Sequence, residues 1–451
     1  MKKNQMNRRT FLGTTGSLAA GTLLVSGVPA YGSFAAAKKR LAMVGTGGRG
    51  SSMWGTSVSS AYKDQIEFVG LCDINPGRVE LLKKKLGSSC PTFTDFEKMM
   101  TTVHPDLLIV TTVDATHHQY IIRGMELGAD IITEKPMTTD EIKCQQIIDA
   151  ERRTGKKVTV TFNYRYSPHR QKLWELLRND AIGKIVSADF HWYLDIVHGA
   201  DYFRRWHGLR ENGGTLLVHK ASHHFDLLNW WIDSDPVEVF AYGSLDHYGH
   251  NGTSGGKTCR VCTIKDKCKF YWDITKDQSS VDLYVNNEKY DGYSRDQCVF
   301  RENINIFDKM NASIKYADNT HVSYSLTTYS PYEGYRIAFN GMKGRLEAWI
   351  KERQPWEEEA FDEIQLTTNF GKREIFKISN KEGGHGGGDS RMKDKIFLAE
   401  QQDPYRQSAG TRDGAMSLLT GTAARKSIYS GLPVQIASLT DIVPMEVKPR
   451  T

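Results

Sequence analysis

Long apolar runs are absent from most of this 451-residue chain. Beyond residue 37, no stretch approaches the roughly 18 consecutive apolar residues that predict a membrane-spanning helix. We therefore expect a mature protein without a membrane span. Cysteine is also scarce, since the chain has only seven, and an odd number cannot all pair with one another. This excludes the class of small domains whose fold depends on a disulfide framework.

Basic residues are only in small excess over acidic residues. The chain has 59 basic and 53 acidic residues, and residues 1–37 hold four of the basic residues and no acid. The rest of the chain is therefore nearly neutral and lacks the basic patch that nucleic-acid-binding domains present, so we expect no nucleic-acid partner. The apolar share of 39% and the chain length instead predict a globular protein of about two or three domains.

The first 37 residues are predicted to be an export signal and not part of the fold. The segment Asn7-Arg8-Arg9-Thr10-Phe11-Leu12 resembles a twin-arginine signal, and a short stretch of apolar and small residues follows it, from 13 to 28. Small residues suited to cleavage come next, at 28–30 and 34–37. A retained membrane anchor and a chance pair of arginines are the alternatives. We expect a signal peptide over residues 1–37 and a periplasmic or otherwise exported protein.

A glycine-rich loop follows the first apolar run. Leu41–Val44 predicts a strand, and the next six residues, Gly45-Thr46-Gly47-Gly48-Arg49-Gly50, have the G-x-G-x-x-G spacing of dinucleotide-binding loops. In such a loop the first glycine allows a tight turn, the second lets the backbone approach a pyrophosphate, and the third lets the helix pack on the strand. The next predicted strand ends at Asp73, an acid placed to accept a hydrogen bond from a ribose hydroxyl.

Two domains are predicted from the order of the segments. Strand-like and helix-like segments alternate through residues 38–162, which predicts a doubly wound parallel sheet. In residues 163–435 the later strand-like segments have no regular helices between them, which predicts an α+β domain with a mostly antiparallel sheet. Within it, about 246–300 is predicted to be an insertion, and 436–451 a C-terminal tail.

The chain resembles the Gfo/Idh/MocA family of sugar dehydrogenases over most of residues 38–435. The resemblance is carried by the Gly45–Gly50 loop, Cys72-Asp73, Glu134-Lys135-Pro136 and a His-containing segment at 213–226. It implies a Rossmann domain, an open-sheet domain that covers the nicotinamide end of the cleft, and assembly into a dimer or tetramer. It also implies a catalytic Lys135 beside the substrate hydroxyl, where a buried ammonium can stabilise a developing alkoxide. The predicted cofactor-binding residues are Gly45, Gly47, Gly48, Arg49, Gly50, Asp73, Glu134 and Lys135.

Histidines are concentrated in the second domain, with six of the fourteen in one 34-residue stretch. Family members have an Asp, a His four residues later and an Asp three residues after that. Here His223 and Asp226 match the last two positions, and His219 stands in place of the first Asp. The resemblance implies that His223 orients or deprotonates the substrate hydroxyl, with His219 nearby. A zinc site on these histidines and a purely structural cluster are the alternatives.

Further substrate residues are predicted from polar and aromatic segments. Rings can lie under sugar faces, and arginine forks can hold carboxylates. A glycine-rich segment at 382–389 adds a His and an Asp, with a surface loop as the alternative. The predicted substrate residues are Tyr164, Arg165, Arg204, Trp206, Lys220, His385 and Asp389.

The predicted insertion holds a compact cysteine cluster. Cys259, Cys262 and Cys268 lie within ten residues, and Cys298 is a candidate fourth member. A zinc knuckle, a disulfide and free thiols are all compatible with this spacing. Because an exported protein meets oxidising surroundings, we expect a disulfide that staples the insertion.

These features predict an exported NAD(P)-dependent oxidoreductase that acts on a sugar or glycoside by hydride transfer, without a metal in the site. NADP stays open beside NAD because Arg49 and Arg78 could approach a 2′-phosphate. A redox-neutral, NAD-dependent glycosidase is the alternative enzyme, and a non-catalytic sensor is the alternative outside enzymes. In either enzyme we expect the cofactor to be tightly bound.

Overall fold

The computed structural model describes residues 37–379, 384–398 and 402–448. Apart from Ala37, the predicted signal peptide lies outside the described residues. From Lys38 onward the chain forms one compact unit. Within the described ranges, no helix combines the length and the apolar character needed to cross a membrane.

The first sheet contains six parallel strands among the described residues. They are β1 (Lys39–Val44), β2 (Ile66–Cys72), β3 (Thr92–Phe93), β4 (Leu107–Val110), β5 (Asp130–Thr133) and β6 (Val158–Val160). Their order is β3-β2-β1-β4-β5-β6, so the direction of winding reverses between β1 and β4. This confirms the predicted doubly wound sheet, and such sheets bind ligands beyond the carboxyl ends of the strands at that reversal.

Five helices of the described residues cover this sheet, and three of them are begun by side-chain caps. They are α1 (Ser57–Ala61), α2 (Pro76–Leu86), α3 (Phe96–Val103), α4 (His117–Glu126) and α5 (Glu141–Thr154). The side chains of Asn75, Asp95 and Asp140 each accept a hydrogen bond from a backbone N–H of the first turn of α2, α3 and α5. After the glycine-rich loop, Gly50–Thr56 forms a wide, π-type helical segment that leads into α1.

The second sheet has nine strands among the described residues. They are β7 (Ile185–Asp195), β8 (Pro236–Ser244), β9 (Lys309–Tyr316), β10 (His321–Ser330), β11 (Glu333–Gly341), β12 (Gly344–Arg353), β13 (Phe361–Thr368), β14 (Arg373–Ser379) and β15 (Val434–Gln435). The order is β14-β13-β12-β11-β7-β10-β9-β8-β15, in which β7 and β10 pair in parallel and the other neighbours pair antiparallel. The predicted, mostly antiparallel sheet is confirmed. Strict alternation of buried and exposed residues along β9 shows that one face packs on the core and the other is open.

The second half of the chain contains nine helices among the described residues. They are α6 (Pro168–Arg178), α7 (Ile196–Arg204), α8 (Arg210–Gly213), α9 (Leu216–His219), α10 (Ala221–Ile232), α11 (Gln278–Leu283), α12 (Glu288–Asp291), α13 (Gly388–Phe397) and α14 (Thr411–Ser430). Of these, α6, α7, α10 and α14 pack on the covered face of this sheet. The long α14 packs on α10 and β8 and also touches α5 and β6 of the first domain. It therefore ties the two sheets together.

The insertion, residues 246–300, leaves the sheet between β8 and β9 and consists of short helical turns with α11 and α12. Its four cysteines, Cys259, Cys262, Cys268 and Cys298, line one small cavity. All seven cysteines fall within the described residues and are free thiols, so the predicted disulfide staple is wrong for this structure. The sulfur of Cys259 instead accepts a hydrogen bond from the buried Arg204, with Nη1 at 3.0 Å. In the described part of the chain, no cluster of three or more His, Cys, Asp or Glu is arranged to hold a metal ion.

A buried ion pair joins the start of the second domain to two of its helices. Arg165 donates through Nε to Asp226 of α10 at 2.8 Å and through Nη2 to Asp413 of α14 at 2.9 Å. Burial raises the pKa of Asp226 to about 6, although the charge of Arg165 opposes that rise. These hydrogen bonds occupy the guanidinium of Arg165. The prediction of Arg165 as a substrate residue is therefore corrected, because its side chain pairs with carboxylates of the fold.

Arg165→Met is expected to lower the free energy of unfolding by about 3–5 kcal/mol, because it leaves the buried carboxylate of Asp226 without its counter-ion. The measurement is a urea unfolding curve followed by circular dichroism. Arg153→Met is the control: Arg153 pairs with Glu126 at the exposed surface, where an ion pair contributes about 1 kcal/mol or less. Equal midpoints for the two variants would contradict the role assigned to Arg165.

Candidate active site

A cavity of about 600 Å³ lies at the carboxyl ends of the first sheet. Its walls come from the loops after β1, β2, β4 and β5, from the α7–α10 region, and from the insertion. This is the crevice that the reversal of strand order predicts. The predicted residues that line it are Gly45, Gly47, Gly48, Arg49, Asp73, Glu134, Lys135, Tyr164, Trp206, His219, Lys220, His223 and His385.

The glycines of the loop occupy three different environments. Gly45 has a φ of +91°, and a Cβ there would lie 2.6 Å from the backbone of Thr111. A Cβ on Gly50 would lie 2.2 Å from the carbonyl oxygen of Gly45, so Gly50 packs against the strand end and does not line the cavity. A Cβ on Gly47 would meet nothing within 4 Å. Gly47 therefore presents bare backbone to the cavity, as close approach of a pyrophosphate requires.

Asp73 is fixed at the end of β2 by its own neighbours. One carboxylate oxygen accepts from the Thr46 N–H at 2.6 Å and from the Thr46 hydroxyl at 3.0 Å. The other accepts from the Asn75 N–H at 2.9 Å and lies 3.5 Å from Arg78 Nη2. The carboxylate is thus held at the cavity edge with its acceptor oxygens in a set direction, as a ribose partner requires.

Lys135 lies at the centre of a short polar chain. Its Nζ donates to the carbonyl oxygen of His219 at 3.0 Å and lies 3.5 Å from His219 Nε2. His219 Nδ1 lies 2.5 Å from the carboxylate of Asp114, which follows β4. A neutral His219 that donates through Nδ1 to Asp114 accepts from Lys135 through Nε2. Asp114 was not predicted, because nothing in the sequence near it marks an acid in contact with a residue 105 positions later.

Burial sets the protonation of this chain. It lowers the pKa of Lys135 to about 8, with the charge of Asp114 opposing that change and the charge of Lys220 adding to it. Burial and the charge of Lys135 also hold the pKa of His219 well below its usual value, so this imidazole is neutral at pH 7. A lysine whose pKa lies near the working pH can give a proton as the ammonium and take one as the neutral amine.

His223 lines the same cavity. Its ring stacks on Tyr164 at a centroid distance of 4.0 Å, and Lys220 Nζ donates to the Tyr164 hydroxyl at 3.0 Å. Nδ1 of His223 is buried, and none of the described residues offers it a hydrogen bond. Burial, with the charge of Lys135, keeps the pKa of His223 well below its usual value. A neutral imidazole without a partner can pair with a substrate hydroxyl.

Besides Arg165, two predicted substrate residues lie away from the cavity wall. Arg204 points to Cys259 and donates a hydrogen bond to the Phe270 carbonyl at 2.7 Å. The prediction of Arg204 as a substrate residue is therefore corrected by one position, because Arg205 lines the cavity instead. The cause is that α7 ends at Arg204 and the backbone turns extended at Arg205, so that the two side chains diverge. Asp389 lies behind His385, whose Nδ1 it meets at 3.0 Å.

A second opening of about 400 Å³ adjoins the cavity and shares Tyr164, His198 and His385 with it. Its remaining walls carry mostly charged side chains and one exposed tryptophan, Trp349. His198 was not among the predicted site residues. Its Nδ1 lies 2.8 Å from Glu333, on the boundary between the two spaces.

Comparison with known families decides the classification. Residues 39–162 match the family model described as "Oxidoreductase family, NAD-binding Rossmann fold", and residues 174–436 match "Oxidoreductase family, C-terminal alpha/beta domain". The chain belongs to the Gfo/Idh/MocA oxidoreductase family. Its first domain is the NAD-binding domain of that family, and the bare backbone at Gly47 and the fixed carboxylate of Asp73 fit that cofactor.

Individual members of the Gfo/Idh/MocA family align over different lengths. The chain is 36% identical over 426 residues to "Putative oxidoreductase YteT" of Bacillus subtilis, an alignment that covers 89% of this chain and 98% of that protein. It is 27% identical over 197 residues to "Glycosyl hydrolase family 109 protein 1" of Akkermansia muciniphila, which covers 40% of each. Among solved structures, myo-inositol 2-dehydrogenase from Lactobacillus plantarum superposes with a TM-score of 0.60 at 16% identity, covering 88% of this chain and 99% of that one. At that identity the likeness shows the fold alone.

Gly47→Val is expected to abolish NAD binding while the fold is kept, because the added side chain fills open space where the cofactor backbone must approach. Isothermal titration calorimetry with NAD measures the binding, and the thermal unfolding midpoint reports the fold. Gly50→Ala is the contrasting variant, whose Cβ meets the Gly45 carbonyl and is expected to lower the midpoint. Unchanged affinity for NAD in Gly47→Val would refute the assignment of the loop.

Proposed function

We propose that this protein is an exported, NAD-dependent oxidoreductase that acts on a sugar or glycoside by hydride transfer. The observation that carries the proposal is the convergence of Lys135 and the unpaired His223 on the cavity that also exposes Gly47. The cavity therefore offers a proton acceptor, a hydroxyl-orienting group and a cofactor cradle side by side. The names of related proteins, which include an inositol dehydrogenase and a glycosyl hydrolase, support a polyhydroxyl substrate.

Each residue has a definite part in the reaction. Bound NAD would accept the hydride from a substrate C–H. Lys135 in its neutral form takes the proton of the hydroxyl on that same carbon, so that the carbon becomes a carbonyl carbon. His223, which lines the cavity, orients that hydroxyl through its imidazole, and Asp114 holds His219 and thereby Lys135 in position.

The shape of the cavity favours a glycoside over a small free alcohol. Aromatic rings of Tyr164, Tyr202 and Trp206 line the space beside the histidines. The second, charged opening adjoins it at Tyr164, where the next unit of a glycoside would extend. A sugar ring in the cavity and its substituent in the second opening would use both spaces.

A redox-neutral glycosidase is the second candidate. In that reaction, oxidation of one sugar carbon acidifies the neighbouring C–H, the glycosidic group leaves, water adds, and the hydride returns to the sugar. Further acid–base groups are needed, and His207 supplies one: its ring lies 4.2 Å from that of His219, and its Nδ1 has no partner among the described residues. The relative named as a glycosyl hydrolase also favours this candidate.

Export by the twin-arginine route bears on how the cofactor is used. Outside the cytoplasm there is no pool of free NAD to exchange with. We therefore propose that NAD is loaded before export and stays bound through many turnovers.

We also propose assembly into a dimer or tetramer through the open face of the second sheet, where Trp349 and Phe361 are exposed. Light scattering of the purified protein measures that assembly.

Protein purified without added cofactor is expected to release NAD on denaturation, as measured by chromatography of the supernatant. The purified protein would then be offered free sugars, sugar pairs and aryl glycosides. Formation of an oxidised sugar supports the oxidoreductase, and release of the aryl group without net NADH supports the glycosidase. An empty protein that needs stoichiometric NAD and accumulates free NADH would contradict the bound-cofactor proposal.

Lys135→Ala is expected to lower kcat for sugar oxidation by about 10²–10⁴-fold, because it removes the proton acceptor. In the native protein the rate of oxidation should rise with pH through about 8, since the neutral amine that accepts the proton forms only as pH passes the lowered pKa of Lys135. The measurement is kcat against pH under saturating substrate. Lys157→Ala, at the exposed surface, is the control and should keep the native profile. A rise that persists in Lys135→Ala would assign the titration to another group.

A further inference from the structure

The far end of the insertion lies against the first domain. Asn75, the N-cap of α2, donates through Nδ2 to the carbonyl oxygen of Asn287 at 2.9 Å. The contact is close enough that a Cβ on Gly77 would lie 1.8 Å from Asn287 Oδ1. A segment that belongs to the second domain by chain order thus completes the rim of the crevice in the first.

Tyr284, between α11 and α12, reaches the glycine-rich loop. Its hydroxyl accepts a hydrogen bond from the Gly48 N–H at 3.0 Å, and it lines the main cavity together with Tyr293. The N–H groups of such a loop and of the helix after it are the groups that bind a pyrophosphate. The tyrosine hydroxyl therefore lies where the middle of a dinucleotide is held.

Asp291, at the end of α12, pairs with Arg78. Arg78 also lies 3.5 Å from Asp73, and the side chains of all three residues are largely buried. One guanidinium is thus shared between two carboxylates, which leaves a net negative charge beside the ribose-binding acid. A 2′-phosphate would meet repulsion there, and Arg78 is already paired.

The insertion is firmly rooted in the second domain. Arg204 of α7 donates to the Phe270 carbonyl, and Arg301 donates through Nη2 to the Arg205 carbonyl at 3.1 Å. Arg260 pairs with the fully buried Asp296 inside the insertion. Because these contacts fix the base, the contact that can open without unfolding the insertion is the one between α2 and the α11–α12 end.

We propose that the insertion is the outer wall of the dinucleotide site. Tyr284 closes over the pyrophosphate, and Asp291 completes the ribose end and selects NAD over NADP. The nucleotide leaves only when the α11–α12 end separates from α2, which retains it between turnovers. The proposal rests on the NAD-dependent function proposed above and adds the residues that hold and select the cofactor.

Gly77→Ala tests retention without touching the cavity. Gly77 is a helical residue near the start of α2, where alanine favours the helix, but its Cβ would overlap the side chain of Asn287 and lie 2.8 Å from the Tyr290 ring, so this contact with the insertion must shift. The protein is loaded with radiolabelled NAD and chased with excess unlabelled NAD, and the label left on the protein is followed with time. The release rate is expected to rise at least about tenfold in Gly77→Ala, the order that loss of one or two hydrogen bonds gives. Lys84→Ala, on the exposed side of the same helix, should release NAD at the native rate.

Asp291→Asn tests selection. It removes one of the two carboxylates around Arg78, so the ratio of NADP to NAD affinity, measured by calorimetry, is expected to rise about tenfold, the equivalent of about 1.4 kcal/mol. Asp266→Asn makes the same change at an exposed site of the insertion and should leave the ratio unchanged. Tyr284→Phe, which keeps the ring and loses the hydroxyl, should speed NAD release without changing the ratio.

The outcomes separate this proposal from the function it rests on. A native release rate in folded Gly77→Ala overturns retention by the insertion, and a native affinity ratio in Asp291→Asn overturns selection by it. Rapid NAD exchange in the native protein also overturns the proposal that the insertion retains NAD, although the oxidoreductase proposal would stand. Absence of NAD binding in the native protein would overturn both.

Discussion

The buried contact between Arg165 and Asp226 fixes the geometry on which the candidate chemistry depends. Tyr164 directly precedes Arg165, and His223 lies one helical turn before Asp226. When the ion pair forms, the two rings are brought face to face at 4.0 Å, and Nδ1 of His223 is directed away from other polar groups. The interior of the domain thus holds the candidate catalytic imidazole in place through an ion pair that does not line the cavity.

Positive charge and neutral imidazoles are combined in the same cavity. Lys135, Lys220 and Arg205 are cationic and largely enclosed, and their field helps to keep the neighbouring histidines uncharged. Such a surface stabilises both a pyrophosphate and a developing alkoxide, while the histidines remain able to exchange protons. The negative charge of Asp114 opposes this effect at Lys135, since it raises the pKa that burial lowers.

The parts of this arrangement that depend on local chain order were predictable from the sequence. The strand–loop–helix context identified the Gly45–Gly50 loop, and the alternation of segments gave the parallel sheet and the position of Lys135 after its fifth strand. The parts that depend on long-range packing were not. Asp114 meets His219 across two domains, and Arg205 replaces Arg204 because one residue at a helix end changes direction. The expected export into oxidising surroundings suggested a disulfide staple, but the sulfurs surround a small cavity and one of them faces an arginine.

The position of the insertion limits how the two halves of the chain can be exchanged. Residues 246–300 are encoded within the second domain, yet Asn287 and Asp291 fit side chains at the start of α2. A hybrid that joined this N-terminal half to the C-terminal half of a relative without the insertion would keep the strands and the glycine loop but leave the nucleotide groove uncovered and Arg78 with one acid fewer. Recombination between such genes would therefore yield folded proteins with an altered hold on their cofactor, and the two halves are expected to change together in evolution.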